Sequence, residues 1–566
     1  MGRKYKIIHI VNIPPKLDQA YGILNAITLT LFQFIRCKGS DMKNEYLWWR
    51  DGIIYQIYPR SFADSNNDGI GDLPGITNKL DYLQDLGVDA IWLSPIYPSP
   101  DVDFGYDVAD YTGIDPKFGT MEDFEKLVRE AKKRDIHIIM DLVLNHTSDQ
   151  HPWFIASKES EENPYHDWYL WLYPKSDGEP PNNWAAIFGG SGWEYDPEMG
   201  QYYYHMFYKE QPDLNWRNPN VHQAMLDVFR FWLGKGVDGF RLDVFNAYFK
   251  DAAFRDNPPK LGIRTFDRQQ HIHDASQPEM YPLLGEIRAI LDDHTGGYVV
   301  GETFLSDTAH TATYCGKDKL HAAFNFEFAE NRWHPKRFLD SAQKWYAALE
   351  ENAWPNNFLS NHDMIRAASR YCFGEDDRRA KVALAMLLTI KGTPFIYYGE
   401  EIGMRDIPVR KKSDVLDPIG KTFWPLHKGR DGCRAPMQWT GGKNAGFSEA
   451  KPWLPVNQNY QERNVVNQAA QPESLLLFFK SLAALRKSEP ALQRGDFEAL
   501  TTDPHTHLVF ERTLGDDRLV VVLNFNSREV QADLPEGQWQ AIFGSNGLFE
   551  NHLDLKPYQV IILKQP

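Results

Sequence analysis

Gly239-Phe240-Arg241-Leu242-Asp243-Val244 is a short apolar run of β character that ends in an acid. A charge is costly inside a buried strand and is tolerated at its mouth. Three other apolar runs end in acid or histidine: Asp141-Leu142-Val143-Leu144-Asn145-His146, Gly301-Glu302-Thr303-Phe304 and Phe358-Leu359-Ser360-Asn361-His362-Asp363. Four carboxylate-bearing strand ends of one sheet predict a single site assembled from segments far apart in the chain.

Outward from these strands, one unit recurs. Leu80, Leu83 and Leu86 have helical spacing, Gly87 stops them, and Asp89 to Ser94 reads as a strand. Thr120 is placed to cap a helix carrying Phe124, Leu127, Val128 and Ala131, and Ile136 to Leu144 follows as a strand. Met225 to Trp232 precedes Val237 to Val244, and Leu284, Ile287 and Leu291 precede Tyr298 to Glu302. A helix over 378–390 precedes Pro394 to Gly399. Ile53 to Tyr58, His321 to Phe326 and Asn357 to Leu359 complete eight strands. Strands apolar on both faces and separated by helices imply a covered parallel sheet. Eight such units predict an α/β fold, a (β/α)₈ TIM barrel with its site at the C-terminal strand ends. An open doubly wound sheet is the alternative, and no G-x-G-x-x-G after an early strand supports it.

Residues 147–214, rich in Trp, Tyr, Pro, Asn and Gly, interrupt the pattern after strand 3 and lack helical periodicity. From about residue 503 the pattern becomes strand alternation. The expected division is an N-terminal extension (1–47), a barrel in two parts (48–146 and 215–490), an inserted domain (147–214) and a C-terminal antiparallel β-sandwich (491–566). A long loop, 400–457, follows strand 8.

Composition narrows the partners. The net charge of -16 argues against nucleic acid and anionic membrane. An aromatic fraction of 14%, with 17 Trp and 27 Tyr, suits both a large core and a site that stacks flat sugar faces. Cys37, Cys315, Cys372 and Cys433 have neither CxxC nor zinc spacing, which predicts reduced thiols and a cytoplasmic protein. The apolar run Ile27 to Ile35 is too short to span a bilayer and lacks a cleavage signal. Globular patterning begins after Met42, which reads as the natural start.

Asp243 and Glu302 end adjacent strands. Two carboxyls over one groove are what glycosidic cleavage needs, one ionised and one protonated. Arg241 shares the strand face of Asp243 and keeps it ionised. Glu302 has no basic neighbour in sequence, which predicts a raised pKa. The reading is Asp243 as nucleophile and Glu302 as general acid/base. Asp363, His362, Asn145 and His146 add the acceptors and donors that a hydroxyl-rich ligand requires.

In order, spacing and strand placement these segments resemble the hallmark regions of glycoside hydrolase family 13, the α-amylase family, from about Trp48 to the C-terminus. Gln211-Pro212-Asp213-Leu214-Asn215 resembles the signature of its oligo-1,6-glucosidase and α-glucosidase branch. The resemblance implies a retaining mechanism, with Asp363 as transition-state stabiliser. It implies that Arg241, His146 and His362 bind hydroxyls of the cleaved sugar, and that Tyr106 stacks on it. It further implies that Asp107 grips the non-reducing end with Arg430 as its partner, blocking longer chains. Phe188 matches an apolar pocket wall.

Asp64, Asn66, Asp68 and Asp72, with the Ile70 carbonyl, alternate oxygen ligands around Gly69 and suit a structural Ca²⁺ or Mg²⁺. The loop resembles the EF-hand-like loop of this branch, although Gly75 stands where an EF-hand carries its bidentate Glu. No organic cofactor is expected.

Specificity signals disagree. Val244 after the nucleophile resembles α-1,6-acting members, whereas Phe245 to Tyr248 and Arg255 to Pro259 resemble α-1,4-acting ones. The resemblance implies an exo-acting α-glucosidase on short oligosaccharides or sucrose. A transglucosylase or sucrose isomerase would use the same residues, although no Arg-Leu-Asp-Arg loop follows strand 6. A trehalose-phosphate hydrolase would need a basic pocket, and Arg410-Lys411-Lys412 reads as a solvated loop. A non-catalytic sugar-binding or transporter-associated member should have lost the acids, and all three are present.

Overall fold

The computed structural model describes residues 46–501 and 504–566. The expected N-terminal extension, with its Ile27 to Ile35 run and Cys37, lies almost wholly outside them. Eight parallel strands form the central sheet: β1 (Ile54–Ile57), β2 (Ala90–Leu93), β3 (His137–Leu142), β4 (Gly239–Leu242), β5 (Tyr298–Gly301), β6 (Ala322–Ala323), β7 (Asn356–Phe358) and β8 (Thr393–Tyr397). Their order is β7-β8-β1-β2-β3-β4-β5-β6. The last strand in sequence therefore lies beside the first, as in a barrel. At the remaining seam, Phe324 and Phe326 beyond β6 lie 5.3 and 5.2 Å from the ring of Phe358 in β7.

Side-chain alternation builds two cores. Ile54, Trp92, Ile139, Val300, Phe358 and Phe395 fill the barrel interior. Tyr55, Ile57, Ile91, Leu93, Phe240 and Val299 join a second cluster with the helices. Each buried aliphatic or Phe side chain contributes about 1.5–3 kcal/mol relative to exposure. The helices start and stop where local chemistry directs. Thr120 and Asp123 form a capping box on Met121–Lys132, and Gly87, at φ 88°, ends Leu80–Leu86 in a left-handed turn.

Between β3 and β4 the chain forms a three-stranded antiparallel sheet, Trp171–Leu172, Gln201–Tyr204 and Trp193–Asp196. A helix at Pro152–Ser157, with Pro at its start, was not legible in the sequence because six residues give too few turns to show a period. The C-terminal region is an antiparallel six-stranded sheet with a two-stranded partner, Val530–Asp533 and His552–Leu555. Val520 and Val522 face that partner's core, while Leu519, Val521 and Leu523 join the cluster shared with the barrel helices. Among the described residues no helix is long and apolar enough to cross a membrane.

Candidate active site

The mouths of β3, β4, β5 and β7 converge. The Asp243 N–H donates to the Leu142 carbonyl at 3.0 Å, and the Glu302 N–H to Leu242 at 2.9 Å. Both acids are thus held by the ends of the strand ladder rather than by loops. The buried Arg241 guanidinium links them. Its Nη1 donates to Asp243 Oδ1 at 2.6 Å and to Asp141 Oδ1 at 2.7 Å, and its Nη2 donates to Glu302 Oε2. Adjacent nitrogens of one guanidinium therefore hold the two carboxyls side by side. Val244, the next residue, takes φ 35°, ψ 39°, a conformation that a β-branched side chain adopts only under constraint. It turns the chain sharply away behind Asp243.

Burial pushes the Glu302 carboxyl well above the usual range; Arg241 opposes, and Asp243, Asp363 and Asp141 add to the rise. Asp141, the carboxylate of the third-strand segment and given no role of its own in the sequence, is raised by burial to about 7 against the pull of Arg241. It accepts from Trp92 Nε1 at 3.2 Å and from the Tyr106 hydroxyl at 3.1 Å.

Asp363 lies among cations. Arg434 Nη2 reaches its Oδ1 at 2.8 Å and Arg430 Nη1 at 3.2 Å. Burial raises its pKa, but His362, Arg430 and Arg434 outweigh that and hold it below the usual range. His362 is buried and pulled down to about 3 by desolvation, so the ring is neutral. Gln56 Nε2 is 2.8 Å from its Nδ1, and the Tyr106 hydroxyl is 2.6 Å from its Nε2. Tyr106 and His362 also stack, with ring centroids 5.3 Å apart.

One expected contact is overturned. Asp107 does not pair with Arg430. Its side chain accepts from Ser99 Oγ at 2.8 Å and from the N–H groups of Val102 and Asp103 at 2.9 and 3.0 Å. It is wholly buried, and desolvation raises it to about 6. The acid that meets Arg430 is Asp103, at 2.5 Å. Arg430 is completed by Asp417, at 2.8 Å. Asp103 and Arg430 both line the site cavity, and Asp107 does not.

That cavity is about 640 Å³ and brings together Tyr106, His146, Asp243, Glu302, Asp363 and Arg430 with Phe188 on its wall. Arg241 and His362 stand directly behind it, touching these residues. Phe188 stacks on Tyr208 at 4.1 Å. His146 is buried, and desolvation lowers its pKa. Gln211 Nε2 is 3.0 Å from its Nε2, and Asn145 Nδ2 is 3.2 Å from its Nδ1. Behind Asn145, the buried Lys250 bonds to Asp213 at 2.5 Å and to Asn145 Oδ1 at 2.8 Å. The Gln211 to Asn215 signature thus braces the histidine from below.

The loop 64–72 stands apart from this site. Asp64 accepts from the N–H groups of Asn67 and Gly69, and Asp68 from that of Ile70. Asp72 accepts from Gly75 at the start of a helix and from Ser65. Gly69 has φ 95°, and a Cβ there would lie 2.2 Å from the Lys451 carbonyl oxygen. The all-oxygen donor set fits a hard cation. Among the described residues no group of three or more His, Cys, Asp or Glu is placed to hold a metal, so Asn66 and the Ile70 carbonyl would have to contribute.

Residues 56–495 match the family described as alpha amylase, catalytic domain, and residues 497–562 match the maltogenic amylase C-terminal domain. A probable alpha-glucosidase of Rhizobium meliloti is 42% identical, the match spanning 90% of this chain and 94% of that protein. An oligo-1,6-glucosidase of Heyndrickxia coagulans is 40% identical over 91% of this chain and 99% of that protein. Among solved structures, an alpha-glucosyl transfer enzyme superposes with a TM-score of 0.89 at 40% identity, covering 92% of this chain and 100% of that one. With its barrel, its C-terminal sheet domain and the acids at its strand ends, the chain belongs to the alpha-amylase family of glycoside hydrolases.

Proposed function

We propose that the protein is a retaining, exo-acting α-glucosidase that releases terminal glucose from short α-glucosides. The observation that carries this reading is the cavity floor. Arg241 holds Asp243 and Glu302 on adjacent nitrogens, and Asp103, Arg430 and Asp417 form a closed ion cluster beside them. Carboxyls held this close suit nucleophilic attack, because an inverting pair must leave room for a water between them. Asp243 attacks the anomeric carbon as Glu302 gives its proton to the departing oxygen. Water then attacks the glucosyl-Asp243 ester, returning its proton to Glu302. Asp363, ionised by its guanidiniums, and the neutral His146 hold the hydroxyls, and His362 positions Tyr106 from behind. The cluster at Arg430 grips the non-reducing end and leaves no passage for a longer chain.

The names of the relatives support this reading. The likeness to an alpha-glucosyl transfer enzyme supports a second one, in which a sugar hydroxyl replaces water in the second step. Product analysis on maltose, isomaltose, sucrose and trehalose separates them. Free glucose, formed first as the α-anomer, is the expected result; longer or rearranged saccharides mean transfer; β-glucose refutes retention. We further propose that loop 64–72 takes a structural Ca²⁺ or Mg²⁺ through Asp64, Asn66, Asp68, Asp72 and the Ile70 carbonyl. Among the described residues Cys315, Cys372 and Cys433 form no disulfide, which supports a reducing, cytoplasmic location.

A further inference from the structure

Strand β1 reads Ile54-Tyr55-Gln56-Ile57, and all four residues are buried. Alternation sends Ile54 and Gln56 to one face and Tyr55 and Ile57 to the other. Ile54 belongs to the barrel interior with Trp92, Phe358 and Phe395. Gln56 therefore puts a primary amide into that interior, in register with Trp92 of β2 and Tyr397 of β8. It is 1% exposed and does not line the site cavity. An amide buried in this way is costly unless its groups are bonded.

The amide nitrogen has two partners, Ser94 Oγ at 3.2 Å and His362 Nδ1 at 2.8 Å. Which imidazole nitrogen carries the proton is decided on the far side of the ring. His362 Nε2 is 2.6 Å from the Tyr106 hydroxyl and 3.2 Å from Asp363 Oδ2. Asp363, held ionised by His362, Arg430 and Arg434, can only accept. A lone pair on Nε2 would face that carboxylate and be repelled, whereas an N–H there is attracted. The ring is neutral and has a single N–H, so Nδ1 is left as an acceptor that needs a donor. Gln56 is that donor. With the amide turned over, its carbonyl would draw the proton to Nδ1 and strip it from Nε2. The chain of donors continues in the same direction. The Tyr106 hydroxyl, accepting from His362, gives its own proton to Asp141 Oδ2 at 3.1 Å. The other Asp141 oxygen accepts from Arg241, which also holds Asp243.

We propose that Gln56 is a positioning residue: it fixes His362 as the Nε2–H tautomer and, through that proton, holds Tyr106 and Asp363 in place for the sugar. The effect on turnover rests on the α-glucosidase reading above, whereas the tautomer does not.

The first test needs no variant at position 56. ¹⁵N NMR of the histidine-labelled wild type, with the His362 signals identified by their loss in His362→Asn, should show Nε2 protonated and Nδ1 bare. A protonated Nδ1 overturns the proposal. The second test is kinetic. Gln56→Met keeps the length of the side chain and removes the donor, so the ring loses its preference for Nε2–H. With maltose or isomaltose as substrate, kcat should fall by about tenfold or more while KM changes less. Gln56→Glu is the rescue. While a proton lies between its carboxyl and Nδ1, on whichever of the two, Nε2–H is retained and kcat should exceed that of Gln56→Met. As pH rises and that proton leaves, the carboxylate draws the remaining one to Nδ1. The rate relative to wild type should then fall toward that of Gln56→Met, and the ratio at each pH cancels the titration of Glu302. The other groups facing the ring are the same in all three proteins: Asp363, Tyr106 with Asp141 behind it, the stacked Tyr58, and the guanidiniums of Arg241, Arg430 and Arg434. Thermal melts establish that the variants are folded. A folded Gln56→Met with wild-type kcat, or a Gln56→Glu equal to Gln56→Met across the whole profile, overturns the proposal. Should the wild type release glucose from no α-glucoside, the α-glucosidase reading falls while the spectrum still decides the tautomer.

Discussion

Asp103→Asn should cut kcat/KM for 4-nitrophenyl α-D-glucoside by about 10–150-fold and leave the protein folded. The magnitude follows from the surroundings of Arg430. The Asp103 and Arg430 side chains are 7% and 9% exposed, so their contact is largely desolvated. Breaking an isolated buried pair would cost about 3–5 kcal/mol, because one charge would remain unpaired. That does not apply here, since Arg430 keeps Asp417 at 2.8 Å and Asp363 at 3.2 Å. What is lost is the anionic acceptor for a sugar hydroxyl, a charge-assisted hydrogen bond of about 1.5–3 kcal/mol. At about 1.36 kcal/mol per decade, this gives the stated range. Asp107→Asn is the matched control. Its carboxyl accepts only from Ser99, Val102 and Asp103, so an amide sets one donor against another and costs about 1–3 kcal/mol of stability. Its signature should be a lower Tm, with kcat/KM within about threefold of wild type. Steady-state rates and thermal melts on both variants decide the matter. If Asp107→Asn loses activity a hundredfold at an unchanged Tm while Asp103→Asn behaves as wild type, the assignment of the cavity floor is wrong.

Asp243→Asn should give a folded protein whose turnover is lower by about 10⁴–10⁶-fold, and near-normal turnover would remove Asp243 from the nucleophile's role. The proposed mechanism needs Glu302 in its acid form, and burial raises that pKa, so the fall of kcat/KM with rising pH should come above the range in which a free glutamate titrates. A descending limb already complete near pH 4.3, where a free glutamate titrates, contradicts the assignment. A chelator should lower Tm, added Ca²⁺ or Mg²⁺ should restore it, and Asp68→Ala should abolish the response; a Tm indifferent to chelator excludes the cation. Lys250→Met strips a buried cation from the wholly buried Asp213 and should cost about 3–5 kcal/mol, read as a large fall in Tm.

The barrel was legible because each element carried its own signal. Helix spacing, the Thr120 cap and the Gly87 stop were local, and the parity of each apolar strand was local too. Cross-strand partners were not. Asp141 faces Arg241 directly in the β3–β4 register, a pairing that no single segment displays. Arg434 and Asp417 reach the site from the aperiodic loop after β8, where nothing in the sequence indicates which side chains turn inward. Asp103 is set by a local turn. The Tyr106 N–H bonds to the Asp103 carbonyl at 3.1 Å, and Gly105 takes φ 105°. Such a turn sets its first and fourth residues side by side and sends Asp107 the other way. Phe104 as well as Gly105 stands at positive φ, 50° and 105°, where such turns favour Gly, Asn or Asp, so Asp-Phe-Gly-Tyr does not announce the turn that brings Asp103 to Arg430.

Charge explains why this site suits a sugar that becomes cationic. Six carboxyls, Asp103, Asp141, Asp243, Glu302, Asp363 and Asp417, share three guanidiniums, Arg241, Arg430 and Arg434. The two histidines at the sugar are kept neutral by burial and return no positive charge. The site is therefore anionic before substrate enters; burial raises Asp103 beside Arg430 and, beside Arg241, Glu302 and Asp141, the two acids nearest the cleavage point that can store a proton. Glu302 lines the cavity, whereas Asp141 is sealed behind Arg241, so only one of the two can deliver its proton to a leaving oxygen. In the proposed mechanism, as that proton departs the site gains a negative charge while the glucosyl ring gains a positive one. Asp363 and Asp243 already face that ring, preorganised by guanidiniums that need not move. Under the proposed mechanism this arrangement would bind a neutral sugar through hydroxyls and its cationic transition state more strongly, which is the difference that catalysis requires.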